Sequence, residues 1–188
     1  MIYKLRFDRT KYLTFEILPD ELEEKFGADY LFMLDEPTWL SFWKPVNAKF
    51  IDMSDRKNVT IPPDITCWFT DQLVLNENAY TQLSEHLKPY GEFLPVMCEG
   101  IPYWLLHVTC LTGMDVVDEV QSNRHIEEGG YIDVNRLTFK EERVKNLLLF
   151  KTEYNGYKNI YCTELFKQLV ERNNLSGLIF NPDLAALF

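Results

Sequence analysis

The sequence predicts an α+β fold, a mostly antiparallel sheet with two or three helices packed on one side of it. Three observations carry that reading. Short apolar runs of strand length outnumber the segments with helical spacing. Neighbouring runs are joined by turn signals such as "EGIP" and "YNGY", which suit hairpins. Two stretches, "VLNENAYTQLSEHLKPYGEFLP" and "IYCTELFKQLVERNNLSGLIFNP", follow one order of strand, cap, helix, glycine, strand and proline. They read as a recurring unit placed twice on a common sheet. The 188 residues are taken as one domain, with strands and a short helix in 1–35 ahead of a core over 36–188.

The elements follow in order. "IYKLRF" alternates, with Tyr3, Leu5 and Phe7 on one side and Lys4 and Arg6 on the other, as a half-buried strand does. "KYLTFEIL" reads as a second strand. "PDELEEKFG" carries helix-start chemistry, with Asp20 as the cap and Gly27 as the stop. The proline-punctuated stretch from Asp35 to Ile65 reads as short extended pieces and loops over the core. Asn76 caps a helix with Ala79, Tyr80, Leu83 and Leu87 on one stripe, and Pro89 and Gly91 end it. "EFLPVMC" returns as a strand. "YWLLHVTC" is apolar on both faces, which places it centrally in its sheet. "NLLLFKTEYNGYKNIYC" reads as a hairpin with Asn155-Gly156 in a two-residue turn, because both central positions there need positive φ. Thr163 then caps a helix, Gly177 stops it, and "LIF" closes the series.

Composition narrows the function. Apolar residues make up 46% and aromatics 14%, enough for a sizeable core. No run approaches the ~20 apolar residues that span a bilayer, and the N-terminus lacks the apolar region of a secretory signal. A soluble, cytoplasmic protein is expected. The net charge is −10, and both halves are acidic: 16 acidic against 10 basic residues before position 95, 13 against 9 after it. That argues against nucleic-acid binding, which leaves a basic footprint. It suits either simple solubility or a basic protein partner. Cys67, Cys98, Cys110 and Cys162 form no C-x-x-C pair and are expected as buried free thiols; Cys98 and Cys110 flank one hairpin and can lie close.

Phosphate-binding glycine loops, the G-x-S-x-G elbow and H-E-x-x-H are all missing from the sequence. His107 and Cys110 are three apart on a strand and so point to opposite faces. One run stands out, "MDVVDEVQS" from Met114 to Ser122. If it is helical, Asp115, Asp118 and Glu119 share a face. Three readings stay open for it. Asp115 can cap a short helix with Val116, Val117 and Val120 turned inward. The carboxylates can touch a partner. They can also hold a metal ion, although a calcium loop's alternating ligands and central glycine are missing. Trp39, Phe42 and Trp43 form a second candidate, either a binding patch or anchors for their loop.

Taken in order, "AKFIDM", "PPDI", "LVLNENAYTQL", "GEFLPV", "YWLLHVT", "MDVVDEVQS", "LLLFKTEYNGYKNIYCTELF" and "LSGLIF" resemble the immunity-protein-eleven family of bacterial polymorphic toxin systems, also catalogued as domain of unknown function sixteen twenty-nine. The resemblance covers residues 36 to 180. Its Asp-Asp-Ser run falls on Asp115, Asp118 and Ser122, and its Lys-x-x-Asp on Lys49 and Asp52. The sequence departs from the pattern with Asn76 at a serine cap and His107 at an asparagine. The resemblance implies a cytoplasmic antidote, without cofactor, metal or catalytic residues, that binds a cognate toxin domain and occludes its active site. A basic cleft on that toxin would match the acidic charge. Partner contact is then expected from Asp115, Asp118, Glu119, Trp39, Phe42 and Trp43. Two other classes compete: a small metal-dependent hydrolase or transferase using Asp115 and Asp118, with His107 nearby, and an adaptor for a partner that is not a toxin.

Overall fold

Alternate residues of the central strands turn to opposite apolar layers, and that period of two sets the architecture. The computed structural model describes residues 1–33, 36–55, 57–130 and 132–186, the side chain of Phe32 excepted. In its first half the elements are β1 (Ile2–Phe7), β2 (Thr14–Glu16), α1 (Pro19–Phe26), α2 (Tyr30–Met33), β3 (Val46–Ile51), β4 (Ile65–Trp68), β5 (Gln72–Leu75), α3 (Glu77–Leu87) and β6 (Gly91–Cys98). Then follow β7 (Ile101–Val108), β8 (Leu111–Thr112), β9 (Asn123–Ile126), β10 (Ile132–Arg136), α4 (Glu141–Val144), β11 (Leu149–Thr152), β12 (Tyr161–Thr163), α5 (Glu164–Arg172) and β13 (Leu178–Asn181).

Helix and strand are mixed and most pairings are antiparallel, as expected. There is more sheet than expected, and it is not one common sheet. Six strands run in the order β2-β3-β6-β7-β5-β4 and five in the order β13-β1-β12-β11-β8, with β9 and β10 as a separate ribbon. Only β3 with β6 and β11 with β8 pair in parallel among the described residues. The recurring unit explains the division. β5 and β6 flank β7, each antiparallel to it, with α3 in the connection. β12 and β13 flank β1 in the same way, with α5 in the connection. Each unit is therefore a split β-α-β, one per sheet, and each helix must bury an apolar stripe. Both do so in one shared core, where Ala79, Leu83 and Leu87 meet Leu73, Leu75, Leu106, Leu5, Cys162, Phe166 and Val170.

The helices do not all lie on one side. The other face of β5, β6 and β7 presents Val74, Leu94, Val96 and Leu105, and α1 covers it through Leu22. A third cluster joins Ile2, Val117, Phe139, Val144, Phe150 and Tyr161 on the outer face of the five-stranded sheet. That cluster corrects the reading of β1 as half-buried. Lys4 is 7% exposed, and its ammonium donates to the Ala186 carbonyl at 2.8 Å.

Local chemistry explains the ends. Asn76 accepts from the Ala79 N–H at 2.8 Å and starts α3 as expected. α1 differs: Leu18 holds the cap position without a side-chain bond, and Asp20 lies in the first turn, where its charge favours the exposed N–H groups. Thr163 does stand at the cap of α5, but its hydroxyl donates to the Leu147 carbonyl at 2.6 Å instead of capping. The β11–β12 connection is also longer than a two-residue turn. Asn155 closes a 3₁₀ turn, and positive φ falls on Gly156 and Tyr157. The four cysteines are free thiols. Cys98 sits in the second apolar layer and Cys110 against the third cluster, so they do not lie together.

A seam joins the two units. The Asp64 carboxylate accepts from Asn76 Nδ2 at 2.9 Å, and from the Ser176 N–H and hydroxyl at 2.9 and 2.7 Å. Beside it, Gly177 has φ +110, and a Cβ there would lie 2.1 Å from the Ile65 carbonyl oxygen. Both the dihedral and the close approach require glycine. Gly177→Ala is expected to destabilise the fold by about 2–4 kcal/mol, read as a lower urea midpoint with an unchanged slope.

Candidate functional site

The run 114–122 is not a helix with three stacked carboxylates. A 3₁₀ turn covers Met114–Val116, and Val117 is already extended. Val117 bridges Phe139, Asp118 N–H donates to the Thr138 carbonyl at 2.9 Å, and Lys140 N–H donates to the Val116 carbonyl at 2.8 Å. Ser122 locks the other end, its hydroxyl accepting from the Thr138 N–H at 2.9 Å and donating to the Thr138 carbonyl at 3.2 Å. Val116 and Val117 are buried, but Val120 is 91% exposed, against the expectation that it faces inward. The run is therefore a loop stapled to 138–140 over the third cluster.

Its carboxylates divide into two kinds. Asp118 is spent on the loop itself, accepting from the Val120 and Gln121 N–H groups at 3.1 and 3.2 Å and from Gln121 Nε2 at 2.9 Å. It closes the turn that follows, while the 3₁₀ turn has Gly113 at its cap position and no side-chain cap, so Asp115 does not take the capping role expected of it. Asp115 and Glu119 are exposed. The described residues hold no group of three His, Cys, Asp or Glu side chains placed to bind a metal ion. His107 is no neighbour of this loop, because it packs in the second apolar layer. The Lys-x-x-Asp pair is local too: Lys49 reaches Glu16 at 3.6 Å, and Asp52 accepts from the Ser54 and Val59 N–H groups at 2.8 and 3.0 Å.

The aromatic loop is anchored from beneath. Glu92 on β6 accepts from the Trp39 and Leu40 N–H groups at 2.8 and 3.2 Å and from the Thr38 hydroxyl. Burial alone would raise the Glu92 carboxyl, but these bonds hold it below its ordinary value. Trp39 is 2% exposed and stacks on His107 at 4.1 Å. Phe42 and Trp43 are half-buried, and Trp43 Nε1 donates to the Pro95 carbonyl at 3.0 Å. Trp39 thus fixes the loop, and Phe42 and Trp43 keep the accessible aromatic surface.

Beneath this loop the structure brings together polar groups that the sequence reading did not. Gln72, Glu92 and His107 are cross-strand neighbours on β5, β6 and β7. His107 Nδ1 lies 3.1 Å from Gln72 Oε1, and Nε2 lies 3.3 Å from the Pro37 carbonyl. Gln72 Nε2 donates to Asp71 at 2.8 Å, and Asp71 pairs with Lys151 of β11 at 3.1 Å. The chain of contacts crosses from one sheet to the other along a cleft of about 610 Å3. Burial lowers the Lys151 ammonium, and Asp71 only partly restores it. Burial, with help from the Lys151 charge, lowers His107 from its ordinary 6.5 to about 4. The signals were present in the sequence: a glutamate in the inward register of "GEFLPV", and a lysine inside the apolar run "LLLFK".

Two outcomes follow from this network. Asp71→Asn leaves a buried ammonium unpaired and should cost about 2–3 kcal/mol at pH 7, the lower range because Asp71 is partly exposed. Pairing it with Lys151→Met should restore most of that loss in denaturant melts. For His107, the unfolded chain binds a proton at higher pH than the folded one. Its contribution to stability is therefore whole above about pH 6.5 and falls as pH drops towards 4, by about 2–3 kcal/mol. His107→Gln should flatten that part of the stability–pH profile; an unchanged profile would contradict the assignment.

Comparison with known proteins bears on the second half of the chain. None of the curated proteins matches it. Residues 97–183, from the end of β6 through β13, match the model of the immunity protein family (Imm11). The matched segment holds the 114–122 loop, the β9–β10 ribbon, Lys151 and the second split unit. It leaves out the Trp39–Trp43 loop and α3, although the resemblance was expected from residue 36. Over residues 97–183 the chain is similar to immunity proteins of this family, the one that the ordered motifs resemble.

Proposed function

We propose that the protein is an antidote that binds a cognate toxin domain of a polymorphic toxin system in the cytoplasm and masks its active site. The match of residues 97–183 to an immunity protein family carries this reading. The net charge of −10 supports it, since an acidic surface speeds and orients encounter with a basic cleft. A tight masking interface needs ~800 Å2 from each partner and a few anchors. Asp115 and Glu119 are suited to that role because they are exposed, while the side-chain bonds that hold the loop fall on Asp118 and Ser122. Phe42 and Trp43 supply aromatic surface held in place by Phe26, which both rings meet, and by Trp39, on which Trp43 stacks.

Co-expression with the toxin domain encoded beside it tests the reading. Growth should be rescued and a one-to-one complex recovered. A stable complex with a harmless host protein and no rescue would favour an adaptor, and metal-dependent turnover lost in Asp118→Asn would favour an enzyme. Charge reversal as Asp115→Lys with Glu119→Lys should leave the fold intact and weaken toxin binding about tenfold or more, mostly through a slower on-rate at low salt. Unchanged affinity in the folded double variant would remove this loop from the interface.

A further inference from the structure

Near the β1–β4 edge lies a pocket of about 590 Å3, lined by Lys4, Arg6, Arg9, Lys11, Phe69 and Ile179 among others. Four of the chain's 19 basic residues line it from within eight positions, in a protein whose net charge is −10. Two of the four are already engaged, Lys4 with the Ala186 carbonyl and Lys11 with Asp8 at 3.3 Å. Asp8, the acidic residue on the wall, also accepts from the Thr10 hydroxyl at 2.6 Å. Arg6 differs: its Nη1 is buried without a hydrogen-bond partner. Arg6 as a whole is only half-buried, and a carboxylate or phosphate head can accept two parallel bonds from the accessible part of a guanidinium.

The other wall is apolar and open. Phe69 is 63% exposed and Ile179 42%. Phe69 also has φ +53, a conformation that aromatic residues rarely hold. Hydrogen bonds fix it there: the Thr70 hydroxyl donates to the Lys158 carbonyl at 2.5 Å, and the Ile160 N–H to the Thr70 carbonyl at 3.2 Å. The turn thus keeps an aromatic ring at the rim of a cationic pocket whose volume suits a small molecule.

We propose that this pocket binds a small aromatic or aliphatic anion, a carboxylate or a phosphomonoester, with its charged head on Arg6 and Arg9 and its apolar body against Phe69 and Ile179. Calorimetric titration of the full chain with phenyl phosphate, benzoate and inorganic phosphate tests it. At least one aromatic anion should bind one-to-one with Kd below about 1 mM, and inorganic phosphate should bind at least tenfold more weakly. Phenyl phosphate alone assigns the phosphomonoester, benzoate alone the carboxylate, and both together the shared anion chemistry. Arg6→Gln and Phe69→Ala should each weaken binding tenfold or more with the circular dichroism spectrum unchanged. Arg9→Gln replaces Arg6→Gln if the latter fails to fold. Saturation by neither aromatic anion, or affinity retained in the folded variants, overturns the proposal.

Discussion

The structure depends on the seam at which Asp64, Asn76, Ser176 and Gly177 tie one split β-α-β unit to the other. Neither unit can bury its helix alone, because each presents one apolar stripe that needs a second cover. Asp64 solves the alignment. Its carboxylate holds the cap residue of α3 and the residue before Gly177 at once. Burial would raise this carboxyl, yet the bonds from Ser176 and Asn76 keep it below its ordinary value, so it stays charged and bonded. Gly177 then brings β13 against the Ile65 carbonyl at a distance no side chain would permit. With the seam closed, Leu83 and Leu87 share a core with Phe166 and Val170, and the outer faces of both sheets are free to carry loops.

Charge is sorted by the same geometry. Acidic residues with structural duties lie inward or in turns: Asp64 at the seam, Glu92 under the aromatic loop, Asp118 inside its own loop, Asp71 against Lys151. Asp115 and Glu119 point away from these duties into solvent. A surface field can therefore be altered at those two positions without removing a bond that the fold uses. The bonded carboxylates serve the fold, and the two exposed ones are left to the solvent side of the 114–122 loop. Lys151, by contrast, is neutralised internally by Asp71, which ties the two sheets together across the cleft.

The sequence made the secondary elements legible wherever one residue type has one physical use. Asn76 caps, Gly27 stops, and the run "YWLLHV", apolar on both faces, names a central strand, whereas α5 ends at Asn173 with positive φ on Asn174, ahead of the stop expected at Gly177. The twin units were visible as a pattern, but their assignment to two facing sheets was not, because period-two patterning fixes faces and says nothing of which strand inserts between which. β9 and β10 escaped notice since "NRHI" and "IDVNR" are short and mostly polar, with Val134 packing against the third cluster. The 114–122 run misled in one respect: carboxylates spaced three and four apart suggest a helix only when the backbone stays helical, and pairing with 138–140 ends the turn at Val116. The Glu92–His107–Gln72 row depends on strand register, which no single strand's sequence contains. The family resemblance was legible in the order of weak motifs, most securely over residues 97–183.

A binder and an enzyme differ in stoichiometry, and that difference bears most directly on the account. The toxin's activity, measured at fixed concentration well above Kd, should fall linearly with added protein and reach its floor at one equivalent, immediately and without further change on standing. Loss of toxin activity at a small fraction of an equivalent, growing with time, would contradict it.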